Sequence, residues 1–323
     1  MGLFKMMRPG NCAMALLGVF IGAIVELGSI YGLFYFTVGE THSMFNIFIN
    51  SPFWGLLTIL FPSSRDLPIF IPIIFAALAA FFVTGAGNVL NDFYDAELDK
   101  KAHPERPIPS GQVSTKSAWN FAMALFAGGL ILAVLVNWFC VIIAVINTGL
   151  LFAYERSLKA KGLSGNITIS YLTASVFLFG GASVISFIFV PILFLLALLA
   201  NVGREITKDI EDMGADAAFR RTLPMIVGRP SAARTAGKYL TAAVVLSFIP
   251  LIILLWPVTM RLMMVKIMGY ISVVILADFF FLSSTGIIEI NPREAQFYMK
   301  LGMMVAMIAF FLLGVLPIRN FTN

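Results

Sequence analysis

Apolar runs long enough to cross a bilayer recur nine times along this sequence, at about 12–38, 69–90, 118–136, 138–154, 166–188, 190–205, 237–256, 263–287 and 297–317. A helical span takes about 20 apolar residues, and most of these runs are bounded by Gly, Pro or charge. In lipid a helix satisfies its own backbone polar groups, so the expected fold is an all-α polytopic membrane bundle of about nine transmembrane helices. Composition agrees, with 59% of residues apolar and 12% charged, about half the charged share of an ordinary soluble domain. A water-soluble fold is excluded. The expected organisation is a single transmembrane domain of two similar halves, about 1–160 and 161–323, around a central cavity.

The charges report topology. With the N-terminus inside, alternate loops place every Lys and Arg on the inner side except Arg65, Arg261, Lys266 and Arg319, the bias that cytoplasmic loops carry. The formal charge of +5 is thereby explained, and no nucleic-acid partner is called for. A multi-pass protein of the cell membrane is expected. Lys5 and Arg8 before the run from Cys12 resemble the start of a signal peptide, but the run is too long for a cleaved segment and reads as a retained first span. Cys12 and Cys140 fall at or inside apolar runs without CxxC spacing and read as packing residues. The stretch 39–68 is long for a connection between spans and rich in Phe, Ile and Leu around 44–61. It reads either as an interfacial or re-entrant helix on the outer side or as a plain connection.

Two acidic motifs stand at corresponding places. After the second run comes Asn91-Asp92-Phe93-Tyr94-Asp95-Ala96-Glu97-Leu98-Asp99, in which Asn91, Asp95 and Asp99 share one helical face. After the sixth comes Arg204-Glu205-Ile206-Thr207-Lys208-Asp209-Ile210-Glu211-Asp212-Met213-Gly214-Ala215-Asp216, where Asp212 and Asp216 repeat the i, i+4 spacing. Each motif follows the second helix of a four-helix half, and both lie on the inner side. Facing halves would bring them together, as internal repeats do in other membrane bundles. Carboxylates with an amide oxygen are ligands for a hard cation, and Mg²⁺ completes its shell with substrate phosphate oxygens. The two motifs would thus hold a diphosphate through Mg²⁺. Taken singly, each motif reads equally as a solvated helix end whose acids pair with Lys100, Arg204 or Lys208.

At these residues the chain resembles the UbiA superfamily of intramembrane prenyltransferases, whose signatures NDxxDxxxD and DxxxD are both matched without a gap. Arg8-Pro9-Gly10-Asn11 is similar to the family's RPxN entry, Arg106-Pro107-Ile108-Pro109-Ser110-Gly111 to its RPxPSG loop, and Tyr154 to Lys161 with Gly165-Asn166 to its Tyr-and-Lys-then-GN segment. Thr222-Leu223-Pro224 with Gly228 resembles the TLP...G stretch after the second motif. Within the superfamily, Gly165-Asn166-Ile167, Tyr171-Leu172-Thr173, Phe179-Gly180-Gly181-Ala182 and the segment from Arg204 to Asp212 look most like the archaeal digeranylgeranylglyceryl phosphate synthases. The 39–68 stretch departs from the compact first loop of that pattern.

The resemblance implies transfer of geranylgeranyl from its diphosphate to the free hydroxyl of geranylgeranylglyceryl phosphate, a lipid acceptor, in the formation of archaeal ether lipid. It implies Asn91, Asp95 and Asp99 around one Mg²⁺ and Asp212 and Asp216 around another, with Asp95 and Asp212 the catalytic acids. Arg8, Asn11, Arg106, Tyr154, Lys159 and Lys208 are the expected diphosphate and substrate contacts. The metal acts on the leaving group as a Lewis acid. The 31 Phe and 8 Tyr residues allow an aromatic lining for the allylic cation, without singling out any one ring. With only His42 and His103 present, a His- or Cys-ligated metal is not expected. Glu26 and Asp278 lie inside spans, where ionisable groups are costly; neither belongs to a matched motif. Two other readings compete: prenylation of an aromatic ring, as in quinone biosynthesis, and a cation transporter. Transport predicts acids near the midplane and broken helices, whereas most acids here cluster at inner helix ends beside Arg106 and Lys208.

Overall fold

The computed structural model describes residues 2–31, 48–49, 67–68, 70–216, 221–254 and 264–315, with side chains for 2–28, 70–214, 221–254 and 266–315. Among them are nine helices long and apolar enough to cross a membrane: Pro9–Gly28, Phe70–Tyr94, Thr115–Val136, Trp138–Leu158, Leu163–Ser183, Val190–Glu211, Arg229–Leu254, Lys266–Thr285 and Pro292–Val315. The protein is therefore a multi-pass membrane protein. Apart from the two-residue antiparallel pairing of Phe48–Ile49 with Leu67–Pro68, the expected interfacial segment at 39–68 lies outside the described residues.

Several helices run past their apolar runs at the motif-bearing ends. The second span continues to Tyr94, the sixth to Glu211, and the seventh begins at Arg229. Hydropathy marks only the stretch in lipid, whereas the i→i−4 ladder continues as long as propensity allows. The polar motifs are consequently helical except for a turn at Asp95 and a bend at Asp212.

The chain divides into two compact units, Met1–Ala23 with Ser43–Leu158 and Phe179–Ile185, and Ile24–His42 with Lys159–Leu178 and Ser186–Asn323. In the first, the second and third spans pack along their lengths. Small residues make that approach possible, with Ala76, Ala79, Ala86, Ala118, Ala122 and Ala133 all buried, as expected of helices that associate in lipid by close backbone contact. One residue turns the third span into the fourth. Asn137 Oδ1 accepts from the Cys140 amide at 3.0 Å and caps the new helix, while its Nδ2 donates to the Ala182 carbonyl at 2.7 Å.

In the second unit the sixth span packs on the seventh, and the eighth on the ninth. A Cβ at Gly28 would overlap the Gly314 carbonyl, so first-span and ninth-span backbones touch there. The intramembrane charges have structural partners. Glu26, fully buried, accepts from Ser186 Oγ at 2.6 Å and from the amides of Ile188, Phe189 and Val190 at 3.0, 2.7 and 2.7 Å. Those amides open the sixth span, where a helix otherwise leaves donors unsatisfied. Lys266 does the converse, donating Nζ to the carbonyls of Gly28 at 2.8 Å and Leu313 at 3.0 Å. Asp278 Oδ2 accepts from Ser247 Oγ at 2.8 Å, at the break between Arg229–Leu246 and Ile249–Leu254. Pro250 lacks an N–H and disrupts the ladder here. The Leu251 amide turns to the Phe248 carbonyl at 3.1 Å, and the Ser247 carbonyl accepts instead from Tyr270 Oη at 2.8 Å.

Candidate active site

The first acidic motif keeps its helical stacking through a turn at Asp95. The Asp95 amide bonds to Asn91 O at 2.9 Å, Asp99 to Asp95 O at 2.8 Å and His103 to Asp99 O at 2.8 Å. Asn91 and Asp95 accordingly meet, Nδ2 to Oδ2, at 3.2 Å. Asp99 faces another partner: its buried carboxylate accepts from Arg106 Nη1 at 2.6 Å.

Arg106 is held by its own loop. Ser110 N donates to Arg106 O at 2.9 Å, Gly111 N to Ile108 O at 3.0 Å and Val113 N to Pro107 O at 3.0 Å. Gly111 takes φ +76°, a conformation cheap only for glycine. These turns deliver the guanidinium to the end of the second span.

Arg8 arrives from the other direction. It links the short helix Gly2–Met6 to the first span and caps that span with its carbonyl, which accepts from Asn11 N at 2.8 Å. Pro9 follows as a favourable first helical residue. The φ of Arg8 is +52°, which costs a non-glycine residue roughly 1–2 kcal/mol. Its side chain gains a pairing in return: Nη2 lies 2.7 Å from Asp92 Oδ1 and 3.2 Å from Asn91 Oδ1. Asp92, 6% exposed, stands 4.0 Å from Arg106 Nη1 as well. Asp92 thus orients Arg8 directly and lies within ion-pair range of Arg106, which Asp99 holds; both guanidiniums are candidates for diphosphate oxygens. Asp92 lies off the face that Asn91, Asp95 and Asp99 share, so helical spacing alone does not single it out.

Tyr154 opens a π-helical turn, Tyr154–Leu158, at the end of the fourth span, and its amide is shared between the Leu150 and Leu151 carbonyls. Such turns recur at functional sites. This one packs against the second span and presents Glu155 to Asn91, with Oε1 and Oε2 at 3.0 and 3.1 Å from Nδ2. Nothing in the sequence distinguishes Glu155, since the widened turn changes which residue of the segment faces its neighbour. Asn11 is exposed on the first turn of its span.

Lys159, Lys208 and Asp212 belong to the second unit. Asp212 follows the sixth span, its amide bonding to Lys208 O at 2.9 Å. Lys208 Nζ lies 3.9 Å from Asp212 Oδ2 across one helical turn, an exposed pairing of small energy that a ligand can displace. Neighbouring acids are tied inward. Asp209 accepts from Asn166 Nδ2 at 2.9 Å, Glu211 from Gln296 Nε2 at 2.5 Å, and Glu205 from Arg204. The side chain of Asp216 lies outside the described residues, as does Arg220.

Among the described residues no three His, Cys, Asp or Glu side chains converge as a preformed metal cage. The donors are instead a few carboxylates and one amide oxygen, flanked by arginines. That set fits Mg²⁺, which takes one or two carboxylates and completes its shell with phosphate oxygens and water. It does not resemble a thiolate- or imidazole-binding site.

Among the described residues nine helices are long and apolar enough to cross a membrane, and at the end of the second of them acid, amide and guanidinium side chains meet, which is the class of a membrane protein with a polar site at a helix end. The chain belongs to the UbiA prenyltransferase family, whose model matches residues 51–315, and it is accordingly a prenyltransferase. It is 38% identical, over 95% of its length and 96% of the relative's, to the digeranylgeranylglyceryl phosphate synthase of Methanosarcina mazei. A solved structure described as giving insight into digeranylgeranylglyceryl phosphate synthase in membranes superposes with a TM-score of 0.73 at 29% identity, covering 98% of this chain and 99% of that one. A UbiA homologue from Archaeoglobus fulgidus, solved bound to GPP and Mg²⁺, shares the fold with a TM-score of 0.58 at 16% identity, covering 95% of this chain and 99% of its own.

Proposed function

We propose that the protein transfers a geranylgeranyl group from geranylgeranyl diphosphate to the free hydroxyl of geranylgeranylglyceryl phosphate, forming an ether bond and releasing diphosphate. The observation that carries this reading is the end-to-end relatedness to the Methanosarcina mazei synthase in a chain whose Arg8, Asn91, Asp92, Asp95, Asp99 and Arg106 form one polar constellation.

Asn91, Asp95 and Asp99 are the proposed ligands of one Mg²⁺, and Asp212 and Asp216 of another. When bound, the metal supplies positive charge that stabilises the departing diphosphate. Arg8, oriented by Asp92, and Arg106, oriented by Asp99, add fixed positive charge where negative charge develops, which lowers the barrier without reorganisation at the moment of reaction. Asp99 already engages Arg106, so it serves as that residue's anchor and a ligand together. Lys159, Lys208 and Tyr154 are further donors to diphosphate oxygens, and Asn11 contacts substrate from the first turn of its span. Basic residues at the motif-bearing ends support an active site facing the cytoplasm, in the cell membrane.

Mass spectrometry of the lipid product tests the reading. Purified protein given geranylgeranyl diphosphate, geranylgeranylglyceryl phosphate and Mg²⁺ should yield a phospholipid heavier by one geranylgeranyl group. Unchanged acceptor after exhaustive incubation would overturn the assignment.

A further inference from the structure

Asn91 is the one neutral side chain among the proposed ligands, and an amide offers a metal only its oxygen. Which way the amide points therefore decides whether Asn91 is a ligand at all. Three neighbours fix it. Arg8 Nη2, a donor with no acceptor capacity, stands 3.2 Å from Oδ1. On the opposite edge, Nδ2 faces Asp95 Oδ2 at 3.2 Å and the Glu155 carboxylate at 3.0 and 3.1 Å. Rotating the amide by half a turn would set NH₂ against a guanidinium and the oxygen against two carboxylates, so only one orientation satisfies every group.

The match is complete in number as well as in sign. An amide nitrogen carries two hydrogens, and two carboxylates receive them; its oxygen has two lone pairs, one directed to Arg8 and one left for a cation. Asp95 is itself a proposed ligand and gives up electron density to the metal. Glu155 lies on the π-helical turn of a different span and stands outside the two acidic motifs.

We propose that Glu155 is the positioning residue that holds the Asn91 amide with its oxygen toward the metal–diphosphate site, an inference that rests on the metal reading given above. It acts as carboxylates do when they orient a metal-bound imidazole from behind, where loss of the supporting group costs about 10–100-fold in metal affinity or activity. The π turn has a corresponding role: by widening the helix at Tyr154–Leu158 it brings a fourth-span carboxylate to the second span.

The test uses the full-length protein in detergent, Mn²⁺ as the probe ion read by electron paramagnetic resonance, and inorganic diphosphate as co-ligand. Glu155→Ala should weaken Mn²⁺ binding by about 10-fold or more, while Glu155→Gln, which keeps an acceptor oxygen for Asn91, should stay within about 3-fold of wild type. In an Asn91→Ala background Glu155→Ala should add no further loss, because the residue acts through Asn91. Three results would each overturn the assignment: unchanged Mn²⁺ affinity in Glu155→Ala, an equal and additive loss in the Asn91→Ala background, or a Glu155→Gln protein as impaired as Asp95→Asn, which would make Glu155 a direct ligand. Failure of the wild type to take up Mn²⁺ with diphosphate would sink the metal reading and this assignment together, whereas normal wild-type uptake matched by Glu155→Ala sinks this assignment alone.

Discussion

Glu26→Ala should destabilise the protein by about 3–5 kcal/mol, because several buried donors lose their acceptor at about 1–3 kcal/mol each. The structure supplies the count behind that figure. Four donors converge on the carboxylate, Ser186 Oγ and the amides of Ile188, Phe189 and Val190. An orphaned buried donor costs about 1–3 kcal/mol, and the serine hydroxyl can turn to another acceptor, which leaves the amides as the main loss. These amides sit at the positive end of the sixth span, so the carboxylate also interacts favourably with the helix dipole. Glu26→Gln should fall between the two. Its single oxygen can keep the bonds from Phe189 and Val190, its NH₂ can donate to Ser186 Oγ, and only the Ile188 amide is left facing a donor, for roughly half the loss. Unfolding in a detergent titrated with SDS, followed by circular dichroism, measures the series. Because Glu26 lies outside the polar constellation at Asn91, turnover of the folded Glu26→Ala protein at low temperature should stay within a few-fold of wild type. A Glu26→Ala protein within about 0.5 kcal/mol of wild type, the range of an inconsequential surface change, would refute the reasoning.

Asp95→Ala and Asp212→Ala should each lower turnover by orders of magnitude while leaving a folded, detergent-soluble protein, since these half-buried acids contribute little to helix packing; near-normal turnover in either would refute its role. Exhaustive EDTA treatment should abolish activity and Mg²⁺ should restore it, because the donors are oxygen atoms; full turnover in metal-free enzyme would contradict this. Cysteines placed singly at Ser110 and Arg221 should react with an impermeant thiol reagent only after the cells are permeabilised, against a silent background in which Cys12 and Cys140 are buried. Labelling of either from outside intact cells would reverse the proposed orientation.

The nine spans were legible because lipid burial writes itself into sequence as long apolar runs. The ends of the spans were less so. Arg229, Arg234 and Lys238 hide the first turns of the seventh span from a hydropathy reading, although they are helical. At the site, helical spacing foretold that Asn91 and Asp95 meet. It did not foretell that Asp99 turns to Arg106, which depends on how the loop after the helix folds back, or that Asp92 anchors Arg8, which comes from a segment far away in sequence. Glu155 was hidden by a π turn, which no periodicity anticipates. Glu26 and Asp278 were visible as costly intramembrane acids, and only the tertiary structure shows them bonded to a helix start and to Ser247 at a helix break.

Acceptor choice is the centre of the account, and parallel incubations of the purified enzyme with radiolabelled geranylgeranyl diphosphate and Mg²⁺ test it most directly. One arm contains geranylgeranylglyceryl phosphate, a second the same lipid without its phosphate, and a third an aromatic acceptor of the 4-hydroxybenzoate type. An anionic head group held by Arg or Lys would fix the hydroxyl beside the allylic carbon, an orientation that can account for several kcal/mol of barrier. Label should therefore enter the phosphorylated lipid far faster than the dephosphorylated one, and the aromatic acid not at all. Label entering only the aromatic acceptor would contradict the account.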